Sequence, residues 1–206
     1  MKVNELIERY GAGNRNFPRI DLQRINLSEI FLAGVNLSQA NLRGSNLAGS
    51  SLGGAILNEV ILAQAILWRV NLSKSFMILA CLSHACLIRT NFSQADLHKA
   101  DLRKADARLA DLRNADLTGA DMRGINLSYA DLRGANLAGA NLSKANLTGA
   151  NLSNTDLYKV NFSQAIIDRT NLINADLSCA NLDGTSLWDS SYRSVASSLK
   201  LMDMVL

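Results

Sequence analysis

The sequence predicts an all-β solenoid: a parallel β-helix of about nine square coils with short helical caps at both ends. A five-residue unit repeats without insertion from about Arg15 to Leu187. Its central position is apolar in all 35 repeats, and the residue two before it is Ala in 19 of them and mostly Val, Ile, Thr or Ser in the others. One pattern of core-facing residues therefore runs through most of the chain.

The repeat length dictates the shape. A period of five matches neither the helical period of 3.6 nor the strand period of 2, so no single element keeps every central side chain on one side. If each unit turns the backbone by a quarter, four units close a coil of 20 residues and each centre points at the axis. Coils stacked about 4.8 Å apart then satisfy each other's backbone groups by strand-type hydrogen bonds.

Two further positions in the unit have predictable roles. The residue before the centre is Asn, Asp or Ser in 27 of the 35 repeats, and we expect these side chains to bond turn amides or to form ladders between coils. Ten of the 13 glycines fall two places after a centre, where a corner can require positive φ. These glycines are interpreted as corners and not as a phosphate-binding loop.

The stretch 1–14, before the repeat, is predicted to be a helical cap. An open solenoid leaves an unpaired coil at each end, which must be covered. Asn4 is suited to begin the helix and Gly11 to end it. The apolar residues at helical spacing are Val3, Leu6, Ile7 and Tyr10.

The stretch 193–206 follows the repeat domain, 15–192, and is also predicted to be helical. Its apolar stripe consists of Val195, Leu199, Met202 and Leu206. A stripe of this kind needs a partner surface. Two interpretations stay open: a cap folded over the last coil, or a contact between the C-terminal ends of a homodimer.

The repeat resembles the pentapeptide-repeat family, on units such as Ala40-Asn41-Leu42 and Ala140-Asn141-Leu142. The resemblance implies a right-handed quadrilateral β-helix in which the centre and the residue two before it point inward. Characterised members include DNA-mimicking proteins that bind DNA gyrase, and a regulator of cell differentiation in filamentous cyanobacteria that acts through protein contacts. The residues up to Phe17 also resemble the helical caps of cyanobacterial members. The resemblance therefore predicts the fold but leaves the function open.

The composition favours a soluble cytoplasmic protein. The formal charge is +3 with scattered basic residues, the N-terminal residues lack the apolar stretch of a secretory signal, and three cysteines fit free thiols in a reducing compartment. The longest apolar run, 76–82, is far shorter than the roughly 18 to 20 residues of a membrane span. No membrane association is expected.

The candidate catalytic and metal-binding residues do not form a site in the sequence. The only two histidines, His84 and His98, occupy outward variable positions. Cys81, His84 and Cys86 lie close together but have no evident fourth ligand for zinc. The sequence therefore predicts no enzyme activity, no metal, no cofactor and no small-molecule substrate.

DNA mimicry requires rows of free carboxylates, because the mimic must imitate phosphates. Ten of the 18 acidic residues hold the position before a centre. The free outward acids are Glu29, Glu59, Asp168, Asp183 and Asp189, which are scattered. The middle repeats carry outward cations instead: Lys99, Arg103, Lys104, Arg108, Arg113, Arg123 and Arg133. A gyrase-binding DNA mimic is the alternative function, and an ion-pair lattice is favoured over direct nucleic-acid binding.

The strongest departure from the repeat lies between residues 56 and 88. There the position before the centre becomes Ile56, Ile61, Ile66, Phe76, Cys81 and Cys86. With a 20-residue coil, one face is predicted to carry Ile66, Trp68, Ile88, Leu109 and Tyr129. The opposite face is predicted to carry Ile56, Phe76, Ile78 and Leu79.

Apolar clusters of this extent usually mark contact surfaces. The sequence therefore predicts a non-catalytic interaction module, a rigid rod that docks an unidentified protein or a second copy of itself. The alternative left open is that these residues only strengthen the stacking between coils.

Overall fold

The computed structural model describes residues 3–186, which form one helix, α1 (Val3–Gly11), followed by a solenoid of stacked coils. The backbone pairing is parallel and joins residues 20 apart, from Asn16↔Asn36 to Ile166↔Ser186. One residue of each repeat forms a bridge, so no strand longer than this single residue is present in the described part of the chain. The coil of 20 residues that the repeat predicts is the observed period.

Hydrogen bonds between coils satisfy the backbone along the walls. The Asn136 N–H donates to the Ala115 carbonyl of the preceding coil at 2.9 Å, and the Leu137 N–H donates to the Asp156 carbonyl of the next coil at 2.9 Å. Because this pattern recurs from repeat to repeat, most backbone groups between coils have a partner.

The core is a continuous column of central side chains. Leu137 is fully buried, as are Leu117 and Leu157, its counterparts in the neighbouring coils. The small residue two places before the centre is buried as well, for example Ala135. These are the two inward positions that the repeat predicts, and their regular alternation gives one uninterrupted apolar interior.

Every described corner has a left-handed backbone. The residue two places after the centre has φ between +53° and +69° from Arg19 to Gly184, and at 24 of these corners it is not glycine. At most corners a four-residue turn is closed across this residue, as by the Ala140 N–H and the Leu137 carbonyl at 2.8 Å. A positive φ at the third residue is the signature of a type II turn.

Corner side chains lean over the corner of the following coil. A methyl group added to Gly119 would lie 3.4 Å from Cγ of Lys99, and one added to Gly149 would lie 2.7 Å from the ring of Tyr129. Glycine at such corners leaves room for the long side chain 20 residues earlier.

Helix α1 covers the N-terminal end of the core. Leu6 is fully buried, while the adjacent Ile7 is exposed. The Tyr10 hydroxyl donates to the Ala33 carbonyl at 2.8 Å, and the Arg15 guanidinium lies 3.7 Å from the centre of the Tyr10 ring. These contacts tie the helix to the first coils.

The predicted C-terminal helix, with the stripe Val195, Leu199, Met202 and Leu206, lies outside the described residues, and both interpretations of it stay predictions. Within residues 3–186, no helix has the length and apolar character needed to cross a membrane.

Candidate functional site

The polar residues before the centres belong mainly to the turns. Oδ1 of Asn136 accepts the backbone N–H of Ala138 at 3.0 Å, and Oδ1 of Asp116 accepts that of Thr118 at 2.9 Å. Equivalent bonds recur along the chain. Such bonds fix the turn locally, so these Asn and Asp side chains have a structural role.

Five arginines each form a two-pronged hydrogen bond with the aspartate two residues before them. In the first of these forks, Nε and Nη2 of Arg103 donate to the two oxygens of Asp101 at 2.8 and 2.7 Å. The other four are Asp106–Arg108, Asp111–Arg113, Asp121–Arg123 and Asp131–Arg133. The side-chain hydrogen bonds from Arg103 lower the pKa of Asp101 below its ordinary value, against the opposing effect of burial. The forks therefore neutralise carboxylates that a DNA mimic would expose.

We call one side of the rod the Trp68 face. It consists of the bridge residues Ile66, Cys86 and Asp106 and of the corner that follows them, with Trp68, Ile88, Leu109 and Tyr129. The parallel bridge between Ile66 and Cys86 fixes the register. The Arg69 N–H donates to the Ile88 carbonyl at 3.1 Å, so Trp68 and Ile88 lie in one column of adjacent coils, as the 20-residue period predicts.

The apolar side chains of the Trp68 face are largely open to solvent. The exposed fraction is 44% for Trp68, 47% for Leu109 and 60% for Tyr129, and Ile66 is also exposed. Ile88 is half-buried. The Arg69 guanidinium lies 5.2 Å from the centre of the Trp68 ring. This face thus combines exposed apolar side chains with cations.

The opposite side carries the second predicted cluster, which we call the Phe76 face. The bridge between Ile56 and Phe76 aligns their coils. Phe76 and Leu79 expose about half of their surface, and Ile56 is somewhat more covered. Ile78 is half-buried, and its N–H donates to Oδ1 of Asn58 in the preceding coil at 3.0 Å. This bond replaces the one that an Asn or Asp at position 76 would make.

Four further exposed apolar residues were not singled out from the sequence: Phe31, Tyr158, Ile166 and Ile173. Phe31, which is 77% exposed, and Ile166 replace the polar residue before a centre. The break in the repeat pattern was therefore the available signal for these two. Tyr158 and Ile173 occupy ordinary variable positions and give no such signal.

The cysteines and histidines remain dispersed. Sγ of Cys81 lies 3.4 Å from Oγ of Ser83 and 3.8 Å from Oδ2 of Asp101. Cys86 belongs to the Trp68 face, and His84 lies at the intervening corner. Across residues 3–186, no group of three or more His, Cys, Asp or Glu residues is arranged to hold a metal ion.

A basic depression lies at the corner that precedes the Trp68 face. Its volume is about 390 Å³, and it is lined by Arg103, Lys104, Arg123, Gly124, Ser143 and Lys144. Arg103 and Arg123 are held by their aspartates. Lys104 and Lys144 form no ion pair with any residue between 3 and 186, so this corner is positively charged.

Comparison with known protein families gives one matching model, pentapeptide repeats (8 copies). It matches almost the whole repeat region, at residues 20–58, 55–94, 90–128, 125–164 and 161–189. Comparison with the curated proteins gives no match.

Two similar solved structures have been determined from the cyanobacterium Nostoc sp. PCC 7120. HetL, a pentapeptide repeat protein involved in heterocyst differentiation regulation, is 36% identical, with 91% of this chain and 95% of that chain covered and a TM-score of 0.42. The pentapeptide repeat protein alr5209 is also 36% identical, with 53% of this chain and 80% of that chain covered and a TM-score of 0.36.

A third similar structure is a trypsin-treated variant of QnrB1, a plasmid-mediated fluoroquinolone resistance protein. It is 17% identical, with 89% of this chain and 93% of that chain covered and a TM-score of 0.60. At this identity the similarity concerns the fold alone.

Proposed function

We propose that this chain, which belongs to the pentapeptide-repeat family, is a non-catalytic docking rod whose Trp68 face binds a partner protein. The observation that carries the proposal is the set of exposed apolar side chains on that face. The backbone beneath them is held by hydrogen bonds to both neighbouring coils. A preformed surface of this kind loses little conformational entropy when a partner binds.

The exposure of these side chains favours a contact surface over a purely structural role. An apolar residue that only strengthened the stacking would be covered by its neighbours, but Trp68 and Tyr129 leave 44% and 60% of their surface in water. In addition, Ile66 and Cys86 lack the carboxamide or carboxylate oxygen that bonds the turn amide elsewhere. The exposed apolar surface is unfavourable for the isolated rod, and this cost is offset when a partner covers the face.

The alternative, a gyrase-directed DNA mimic, has less support. Asp101, Asp111 and Asp121 are each paired with an arginine, and other aspartates bond turn amides. Few free carboxylates are left to imitate phosphates. A DNA supercoiling assay with purified gyrase separates the two functions, because the docking rod should leave the supercoiling rate unchanged.

The double substitution Trp68→Ser and Ile88→Ser tests the proposal. Both side chains point outward, so far-UV circular dichroism should be unchanged. Affinity capture from the native organism should recover a partner with the wild-type rod and at least about 30-fold less with the variant, because truncating an interface tryptophan typically costs about 2 kcal/mol or more. Sedimentation velocity on the same two samples tests whether the partner is a second copy.

Phe76→Ser with Leu79→Ser is the matched control, since it removes two exposed apolar side chains from the opposite face. The control should bind like the wild type. If the Trp68 and Ile88 variant keeps its partner and its sedimentation coefficient, or if the control alone loses them, the Trp68 face is not the docking surface.

A further inference from the structure

The Trp68 face has an apolar edge and a basic edge. The apolar edge is the corner after the bridge residues, which carries Trp68, Leu109 and Tyr129, all exposed. The basic edge is the corner before the bridge residues, which carries the basic depression with Lys104 and Lys144. A partner that covers the whole face therefore meets apolar side chains on one side and ammonium groups on the other.

The charges of this face are not balanced internally. Asp106, the one carboxylate on the face itself, is held by Nε and Nη2 of Arg108 at 2.8 Å. Four cations around the face form no ion pair with any of residues 3–186: Arg69, Arg89, Lys104 and Lys144. The complementary partner surface is therefore acidic as well as apolar.

The backbone of the face excludes an added strand. The N–H and carbonyl groups of the bridge residues Cys86 and Asp106 are both bonded to the preceding coil, and the adjacent Ala85 carbonyl and Leu87 N–H are bonded to the next coil. Strand addition requires unpaired backbone groups at an edge. The partner must therefore bind through side chains, which favours a helix.

The dimensions of the face suit a helix that lies along the rod. Lys104 and Arg108, on opposite edges, are four residues apart, and four extended residues span at most about 14 Å. An α-helix with its side chains is about 10–12 Å wide. The apolar residues extend over three coil steps, from Ile66 to the coil of Tyr129, or about 14 Å at 4.8 Å per step.

The rise per turn of an α-helix is also close to the spacing of the coils along the rod axis. An α-helix advances about 5.4 Å per turn, and the solenoid advances about 4.8 Å per coil. Apolar side chains on successive turns of a helix can therefore contact successive coils over a short distance. About three turns cover the apolar edge before the registers diverge appreciably.

From these features we infer that the Trp68 face binds an acidic amphipathic α-helix of about three to four turns, aligned with the rod axis, an inference that rests on the proposed function. Its apolar stripe packs on Trp68, Ile88 and Tyr129. Its carboxylates face the corner of Lys104 and Lys144. The Trp68 face thus recognises a helix that has an apolar stripe beside an acidic one, and it does not require a unique sequence.

A synthetic peptide tests this inference on the full-length protein. The probe is a fluorescent 18-residue peptide with Leu at positions i, i+3, i+4, i+7, i+8 and i+11 of a helix and Glu along one flank. The comparison peptide has Gln in place of each Glu. We expect the Glu peptide to bind at least about tenfold more tightly than the Gln peptide in fluorescence anisotropy at low salt, with the difference shrinking as salt is added.

Charge reversal locates the binding site. Lys104→Glu with Lys144→Glu should weaken binding of the Glu peptide about tenfold, because each exposed ion pair contributes modestly and the reversal turns two attractions into repulsions. Lys99→Glu with Lys159→Glu is the matched control, since these lysines occupy the same corner position in repeats that follow the Phe76 face. The control should bind the peptide like the wild type. Circular dichroism confirms that each variant folds.

Several outcomes overturn the inference: equal affinity for the two peptides, equal weakening by both lysine pairs, or binding that survives Trp68→Ser with Ile88→Ser. If the wild type does not bind the Glu peptide but the Trp68 and Ile88 variant still loses its natural partner, the docking function stands and the acidic helix is wrong. If that variant also keeps its natural partner, the docking function itself is wrong. A single-stranded oligonucleotide that competes for the Lys104 corner independently of Trp68 would identify a nucleic-acid site instead.

Discussion

Replacing Gly139 by Ala should lower the free energy of unfolding, even though the added methyl group meets no obstacle. Gly139 has φ of +69°, and no atom lies within 4 Å of the position its Cβ would take. The effect must therefore come from the backbone. The left-handed conformation costs an L-residue about 1–2 kcal/mol, while Ala restricts the unfolded chain and offsets about 0.4–1 kcal/mol. The net expected loss is about 1 kcal/mol.

Gly53→Ala is the matched control, because Gly53 occupies the position just before a corner and is not among the residues with positive φ. A methyl group there would lie 3.5 Å from Nδ2 of Asn71, an ordinary contact. The same substitution should therefore raise the free energy of unfolding by about 0.4–1 kcal/mol. Equilibrium urea unfolding, followed by far-UV circular dichroism, measures both. If Gly139→Ala is as stable as the wild type, or if both variants shift in the same direction, the left-handed corner does not determine the effect.

Two further predictions concern polar groups. Oγ of Ser50 is buried and has no hydrogen-bond partner among the described residues, whereas Oγ of Ser75 donates to the Leu72 carbonyl at 2.7 Å. In thermal unfolding, Ser50→Ala should therefore be neutral or stabilising by up to about 1 kcal/mol, and Ser75→Ala should be destabilising by about 1 kcal/mol. Equal losses of stability in the two variants would contradict this reasoning. The side-chain hydrogen bonds from Arg113 lower the pKa of Asp111, so Arg113→Gln should return it toward 3.8 in a carboxyl NMR titration. Because the pKa of Asp111 is lower in the folded protein than in the unfolded chain, the Asp111–Arg113 pair stabilises the protein at neutral pH, and this stabilisation is lost as the pH falls through the folded pKa. A stability difference between wild type and Arg113→Gln that grew in acid would contradict the assignment.

The repeat itself predicts the solenoid because it specifies the environment of each position. Leu137 and Ala135 occupy the centre and the position two before it, and both are buried. A regular fold converts sequence spacing directly into spatial spacing. For the same reason the sequence predicts that Trp68 and Ile88 lie in one column, although only a binding experiment can test their role.

The corner conformation is less accessible from sequence. Glycine marks ten corners, but Leu109 and Tyr129 adopt the same left-handed φ, which bulky residues avoid in isolation. Hydrogen bonds to the neighbouring coils impose this conformation, so residue-by-residue propensity misses it. The Asp101–Arg103 fork is similar, since the spacing shows two opposite charges nearby but not that the arginine folds back on its own repeat.

The lean of the corner side chains gives the rod a polarity. Lys104 extends over Gly124, so shortening a corner side chain uncovers the corner 20 positions later, whereas enlarging a corner residue crowds the side chain 20 positions earlier. Truncating Tyr129, for example, uncovers Gly149. An elongated partner that lies on such inclined side chains distinguishes the two directions of the axis, so parallel and antiparallel orientations of one bound segment are not energetically equivalent.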